Sequence, residues 1–449
     1  MSRLLGIIIG LLILSLMLVI HEAGHFFVGR KLGLTVVEFS VFMGPRLLTW
    51  VRKGVRYSIR AIPLGASVEF LGEYDDSENS DDEYNAEYKK LIEEHNYDPD
   101  TAFNKQAVWK RILTLLAGPF SNLLTAALAF IILFSLTGFN TTAIAQLDPQ
   151  GSAYNSGISS GEKITSIADY KVRTDLDITI AGQVKNLNEE FIIETVGSSG
   201  NENTYTITPS TRTDYILGVT LNNTENRPSI HSTSTDINPD AGQFVIGDQI
   251  LAINDDAVDI DNVSSVLEAH KGPEPIQITV LRGDAEITLD YNLAPTEIAV
   301  PLGIELQAND SFMNTLPYSF QYQWSYLRAT GSIIGQIFTG EVNASETLSG
   351  PIGIIDTLGT VASGGTMPLS LRLINMLSMF AVISLALGMA NLLPIAPMDG
   401  GQLLLVSIEG IRGKPLSTKV QNIIYLVGIV IILAIFVMAF VFDIGRIIG

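Results

Sequence analysis

Four stretches of this chain carry almost no charge, and each is about as long as a helix that crosses a bilayer. The first runs from Leu4 to Ile20 with no charged residue and stays apolar to Val28. A hydrocarbon core of about 30 Å takes roughly 20 helical residues. The others run from Val108 to Leu136, from Leu373 to Leu393 with a proline-interrupted continuation to Gly401, and from Ile423 to Phe442 (421–444 with its ends). The sequence between them reads as ordinary soluble chain. The fold class expected is therefore a polytopic α-helical membrane protein with four transmembrane helices and sizeable extramembrane domains. A signal peptide also opens on a basic residue and an apolar run, but no small-x-small cleavage site follows here; His21 and Glu22 do.

Basic residues in short connections set the orientation. Arg30, Lys31, Arg46, Arg52, Lys53, Arg56 and Arg60 follow the first span. Lys105, Lys110 and Arg111 open the second, and Arg412, Lys414 and Lys419 lie between the third and fourth. All three sets fall on one side, expected to be cytoplasmic, with about 138–370 and both termini outside. On the cytoplasmic side, 29–107, the stretch from Arg56 to Phe70 is extended in character. It is expected to form a β-hairpin on or dipping into the membrane, where lipid tolerates such backbone only under protein or beside a wet cavity. Residues 73–100 hold twelve acidic residues and two lysines, the composition of a solvated loop or surface helix. The net charge of −20, with no basic stripe, excludes nucleic-acid binding.

The outer region contains a weak repeat. Gly151 to Gly161-Glu162 leads into the stretch from Ile167 to Val172, and Pro239 to Gly247-Asp248 leads into that from Ile253 to Val258. Each copy reads as a short helix, a glycine turn, a strand, a polar turn and another strand. The copies are placed at 141–225 and 226–306, between a first membrane half at 1–140 and a second at 371–449. Over the connector, 307–370, Phe320, Trp324, Leu327 and Ile334 suit an amphipathic helix at the outer membrane face, or one packed on the domains.

Only five histidines occur: His21, His25, His95, His231 and His270. Two of them make His-Glu-Ala-Gly-His. Residues four apart on a helix differ by about 40° in azimuth, so both imidazoles face one way. Glu22 stands beside them, able to reach a water on a metal. Two neutral nitrogens and an adjacent carboxylate suit a zinc hydrolase: the metal acidifies its water, and the glutamate takes that proton and returns it to the leaving amine. Such groups at the end of a membrane span are costly and usually mark function. A catalytic zinc needs a third protein ligand. The chain has no cysteine, His95 lies in the acidic loop, and His231 and His270 fall on the other side of the membrane. A carboxylate is required, and Asp399 is the candidate within the spans; taken alone it would also serve as a cap beside Gly400-Gly401. It closes the segment Asn391-Leu-Leu-Pro394-Ile-Ala-Pro397-Met-Asp399. The prolines break the helix, and Asn391 offers a donor and an acceptor, so an unwound segment there could pair with an extended substrate.

With His-Glu-Ala-Gly-His in one span and this Asp-Gly segment in a later one, the chain resembles the site-2 protease family of intramembrane metalloproteases. The tandem outer copies resemble PDZ domains, which points to the branch typified by the regulator of sigma-E protease. Phe42-Met-Gly-Pro45-Arg, Pro63-Leu-Gly65, Gly118-Pro119-Phe-Ser-Asn122 and Leu348-Ser-Gly-Pro351-Ile-Gly353 match as well. The resemblance implies one catalytic zinc held by His21, His25 and Asp399, with Glu22 as catalytic glutamate. It implies substrate contacts from Asn391, Pro394 and Pro397, and from the hairpin at Gly65, Ala66 and Ser67. Met398 stands where leucine is frequent, Ala66 where a second glycine is common, and Glu162 where a PDZ turn usually has aspartate; the PDZ peptide-binding loops are not recognisable. The family implies a bacterial inner-membrane enzyme with periplasmic PDZ domains acting as a sieve and an active site near the cytoplasmic side. Its substrates would be single-span proteins embedded in the bilayer, namely anti-sigma factors after a first cut and remnant signal peptides. A non-enzymatic scaffold and a transporter are the rival classes; the intact motif set speaks against the first, and the lack of symmetry between the halves against the second.

Overall fold

The computed structural model describes residues 3–73, 94–95, 97–185, 187–222, 227–340, 350–363 and 368–448. The acidic stretch expected over 73–100 lies largely outside them. The chain divides into two compact units, one of Met1–Phe139 with Asn309–Gly449, the other of Asn140–Ala308.

In the first unit, α1 (Arg3–Lys31) leads into β1 (Val36–Arg52) and β2 (Val55–Phe70), followed by α2 (Val108–Thr137). After the second unit come α3 (Phe312–Thr339), α4 (Pro351–Ser363), α5 (Leu369–Asn391), α6 (Asp399–Arg412) and α7 (Thr418–Ile448). Among the described residues, four helices are long and apolar enough to cross a membrane: α1, α2, α5 and α7. The third run, expected to reach Gly401, stops being helical at Asn391. The chain turns over 392–398 and restarts as α6 with Asp399 in its first turn. The prolines at 394 and 397 supply no N–H to continue the α5 ladder.

Small residues let α1 and α2 cross closely. A Cβ on Gly24 would sit 2.4 Å from Ala117 O, and Ser121 donates its hydroxyl to Ile20 O at 3.0 Å. Ala126, Ala129, Phe130 and Leu133 of α2 pack with Ala381 and Leu385 of α5, and Tyr322, Tyr326 and Leu327 of α3 cover them. The connector is thus a helix with Leu327 turned to the spans and Phe320, Trp324 and Ile334 exposed.

β1 bends at Phe42 and Gly44, where φ is positive. The bend splits the hairpin into a four-segment sheet. Segment 36–41 pairs with 56–59 on one side and with 66–70 on the other, and 46–52 pairs with 55–60. Residues 66–70 are therefore an edge. Phe26, Leu34, Val36, Val55, Phe70 and Phe103 pack this sheet against α1.

In the second unit, β3 (Phe139–Leu147), β4 (Lys163–Ile167), β5 (Tyr170–Lys171), β6 (Phe191–Val196) and β7 (Glu202–Ile207) form one sheet with β16 (Ile304–Asn309) at its edge. A second sheet holds β9 (Val219–Asn222), β10 (Ser229–Thr233), β11 (Gln249–Ile253), β12 (Asp256–Ala257), β13 (Ile276–Arg282) and β14 (Ala285–Tyr291). Among the described residues, β8 (Thr211–Ile216) pairs with β15 (Ala294–Ala299) alone. β9 lies in the second sheet, and β16 lies at the edge of the first, next to β3. A strand exchanged over such a distance leaves no local trace in sequence.

The two stretches that repeat in sequence share local features in the structure. In each copy a two-residue strand folds back on its predecessor, β5 on β4 and β12 on β11. The acid after the glycine turn is buried in both. Glu162 accepts from the Tyr205 hydroxyl at 2.8 Å and from Thr195 on β6, and Asp248 accepts from Arg282 on β13 at 2.7 Å. Glutamate at 162 does the work of aspartate by reaching a hydroxyl pair instead of a guanidinium. A cavity of about 380 Å³ lies along edge strand β9, lined by Leu217, Gly218, Val219 and Leu221 and by Leu267 and Lys271 of and beside the Val263–Ala269 helix.

Candidate metal centre

His21 and His25 share one face of α1, as their spacing requires, and both are buried. The turn after α5 brings Asp399 over that face. His21 Nε2 lies 2.9 Å and His25 Nε2 3.4 Å from Asp399 Oδ2, and the two ring nitrogens are 3.2 Å apart. Ligand atoms of a tetrahedral zinc with bonds of about 2.0–2.1 Å lie about 3.3 Å from one another. The three atoms therefore fit one ion, and two imidazoles with a carboxylate form a donor set zinc takes. Among the described residues the buried Asp399 Oδ2 faces no group but the two imidazoles, the state of an oxygen aimed at a cation shared with them. Among the described residues these three form the group able to hold a metal.

The backbone around the trio explains the glycines of two motifs. A Cβ on Gly118 would lie 2.1 Å from His25 Nε2, so α2 must be bare there. A Cβ on Gly400 would lie 2.3 Å from Leu392 O, and one on Gly401 2.2 Å from Ala396 N, so the Asp399 turn closes only with glycine at both. The far end of α6 is tied to α2 by Arg111, which donates to both carboxylate oxygens of Glu409 at 2.9 Å.

Glu22 accepts a hydrogen bond from Val68 N–H of the edge strand at 2.9 Å, which fixes its carboxylate beside the trio. Ser15 of α1 holds the same strand by donating to Pro63 O at 2.8 Å. His25 Nδ1 contacts Thr114 O at 2.7 Å, and His21 Nδ1 contacts the Asn122 amide at 3.2 Å.

A cavity of about 240 Å³ opens on the trio. Glu22, Ser67, Asn391 and Pro397 line it; Gly65, Ala66 and Pro394 do not. Gly65 instead turns the chain at φ 87° into the edge strand, and Ala66 pairs with Val41. Pro394 is exposed on the turn. Sequence reasoning missed Val68, Glu73, Thr114 and Gln402, which also line or shape the cavity; only Asn122 carried a signal, as the end of Gly118-Pro119-Phe-Ser-Asn122. Burial pushes the Glu73 carboxyl up to about 7, although it accepts from Phe70 N–H. A second cavity of about 420 Å³ shares Glu73, Phe103 and Gln402 with the first.

The pattern of peptidase family M50 matches residues 9–435. The chain is 26% identical to Protease RseP of Yersinia pestis, over 96% of this chain and 97% of the relative. It is 24% identical to the regulator of sigma-E protease RseP of Escherichia coli, with the same coverage of 96% and 97%. A Vibrio cholerae protein named as a zinc metalloprotease is 26% identical, again over 96% and 97%.

Proposed function

The chain belongs to peptidase family M50, the site-2 proteases, and is a metalloprotease with a catalytic zinc; on that premise we propose that it cuts single-span membrane proteins within or near their membrane helix. The observation that carries this reading is the meeting of His21 and His25, on spanning helix α1, with Asp399 at the start of α6, and with Glu22 fixed beside them by a strand edge. His21, His25 and Asp399 are the ligands. Zinc held there would acidify a water toward about pH 7 and polarise the scissile carbonyl. Glu22 takes the proton of the attacking water and delivers it to the leaving amine. The Val68 N–H keeps its carboxylate aimed while it does so.

A helical amide is already hydrogen-bonded, so the substrate must unwind before it reaches the trio. The edge strand supplies the replacement partner: between its fastenings at Pro63 and Val68, the backbone of Gly65, Ala66 and Ser67 pairs with the extended substrate. Asn391 and Pro397 hold the other side. The larger cavity beyond Glu73 and Gln402 brings water, from the side that the basic connections mark as cytoplasmic. We read the second unit as a periplasmic pair of PDZ-like domains that screens out substrates with bulky outer parts; the repeated glycine turn with its buried acid supports this. Anti-sigma factors after a first cut and remnant signal peptides are substrates of the right form, in a bacterial inner membrane.

The test is Glu22→Gln in purified protein, with zinc and cleavage of a single-span substrate both measured. Zinc stays and cleavage falls at least about 100-fold. Cutting at the parent rate would sink the mechanism.

A further inference from the structure

We propose that Asn122 is the positioning residue of His21: its amide oxygen accepts the Nδ1 hydrogen of that ring, fixing the tautomer that leaves Nε2 free for zinc. The inference rests on the metal reading above and names a residue outside the ligand set. Asn122 lies on α2 and is fully buried. Its Nδ2 lies 3.2 Å from His21 Nδ1, and its Oδ1 has no hydrogen-bond partner among the described residues.

The two orientations of an asparagine amide have nearly the same shape, so the hydrogen-bond requirement decides between them. A neutral imidazole has one N–H and one lone pair. When Nε2 gives its lone pair to a metal, the hydrogen sits on Nδ1. An amide NH₂ facing that N–H would set two donors against each other at a fully buried residue. The oxygen must face the ring, and it is the atom of Asn122 without a partner. His25 follows the same rule with a group that can only accept, the Thr114 carbonyl at 2.7 Å. Both acceptors come from α2, so one helix orients both rings. α5 steadies the residue in turn, since Ser384 donates its hydroxyl to the Asn122 backbone carbonyl at 2.9 Å. Metal-bound histidines depend on such outer partners for orientation and basicity.

The test is zinc affinity of the full-length protein in detergent, by chelator competition, with the visible spectrum of the cobalt form as a second readout. Asn122→Leu, of similar size without the acceptor, weakens zinc about ten- to a hundredfold and alters the cobalt spectrum. Asn122→Asp keeps an acceptor and loses the donor; it holds zinc at least as tightly as the parent. A purely packing role would make both variants behave alike. An Asn122→Leu protein within about twofold of the parent, or an Asn122→Asp protein about tenfold weaker, overturns the proposal. Should the leucine variant fail to fold, the aspartate variant decides alone by the same limit. A parent that holds no stoichiometric zinc would bring down the metalloprotease reading itself, an outcome distinct from tight zinc in both variants.

Discussion

Gly118 has no side chain, yet it decides whether His25 can sit where it does. An alanine there would place its Cβ 2.1 Å from His25 Nε2, closer than any real contact, and the neighbour is a ring held at Nδ1 by Thr114 O. The ring must leave its place or α2 must back away from α1. Gly118→Ala is expected to weaken zinc by about tenfold or more, read by chelator competition. Gly335→Ala on α3, where nothing lies within 4 Å, is the control and leaves zinc unchanged. The chemical residues were legible at this scale because two histidines four apart and a lone acid beside prolines leave few alternatives. The roles of Val68 and Thr114 were not, since both act through backbone atoms, which every residue has.

The hairpin is the element that presents Val68 to Glu22, and Glu38 holds it together. This carboxylate is 2% exposed and accepts from Ser58 at 2.6 Å, Arg46 at 2.9 Å and Arg60 at 3.1 Å, and from Arg56 at 2.8 Å. Burial alone would raise its pKa; Ser58, Arg46 and Arg56 outweigh it and hold the group at about 2. A lowered carboxylate pKa stabilises the fold fully above the ordinary value of 4.5 and loses that contribution as pH falls through about 2. Hydrogen exchange across 36–41 and 66–70, corrected for its intrinsic pH dependence, is therefore expected to stay protected from pH 8 to 5. Glu38→Gln leaves Arg56 buried without its counter-charge, a loss of roughly 3–5 kcal/mol, and speeds that exchange at every pH. Unchanged protection in the variant would show that packing alone holds the sheet. Sequence periodicity marked an extended segment here, but the four-segment order depends on the bend at Phe42 and Gly44, which only the folded chain displays.

For the molecule as a whole, every residue lining the metal cavity lies outside 140–308. The ends left by removing the second unit are close, for a Cβ on Gly138 would lie 3.1 Å from Asn309 O. Replacing 140–308 by a short Gly/Ser linker is expected to leave zinc stoichiometry unchanged and to keep cleavage of a substrate lacking an outer domain. Substrates with bulky outer domains should then be cut faster than by the parent. A shortened protein that still refuses them would rule out the sieve, and one that loses zinc would show that the first unit depends on the second.

Sequence alone determined the four long apolar helices, because a bilayer core admits little else of that length and polarity. It also narrowed the metal chemistry to His21, His25 and one distant carboxylate, because the chain has no thiols and its other histidines are placed elsewhere. Tertiary structure decided what surrounds that chemistry: the edge strand on Glu22, the α2 groups behind both rings, and the strand β16 at the edge of the first sheet of the second unit. These depend on segments meeting across long stretches of chain through backbone groups and small residues. Such contacts are set by packing in three dimensions, and apart from the glycines and Asn122 of the quoted motifs they leave no pattern behind in the sequence.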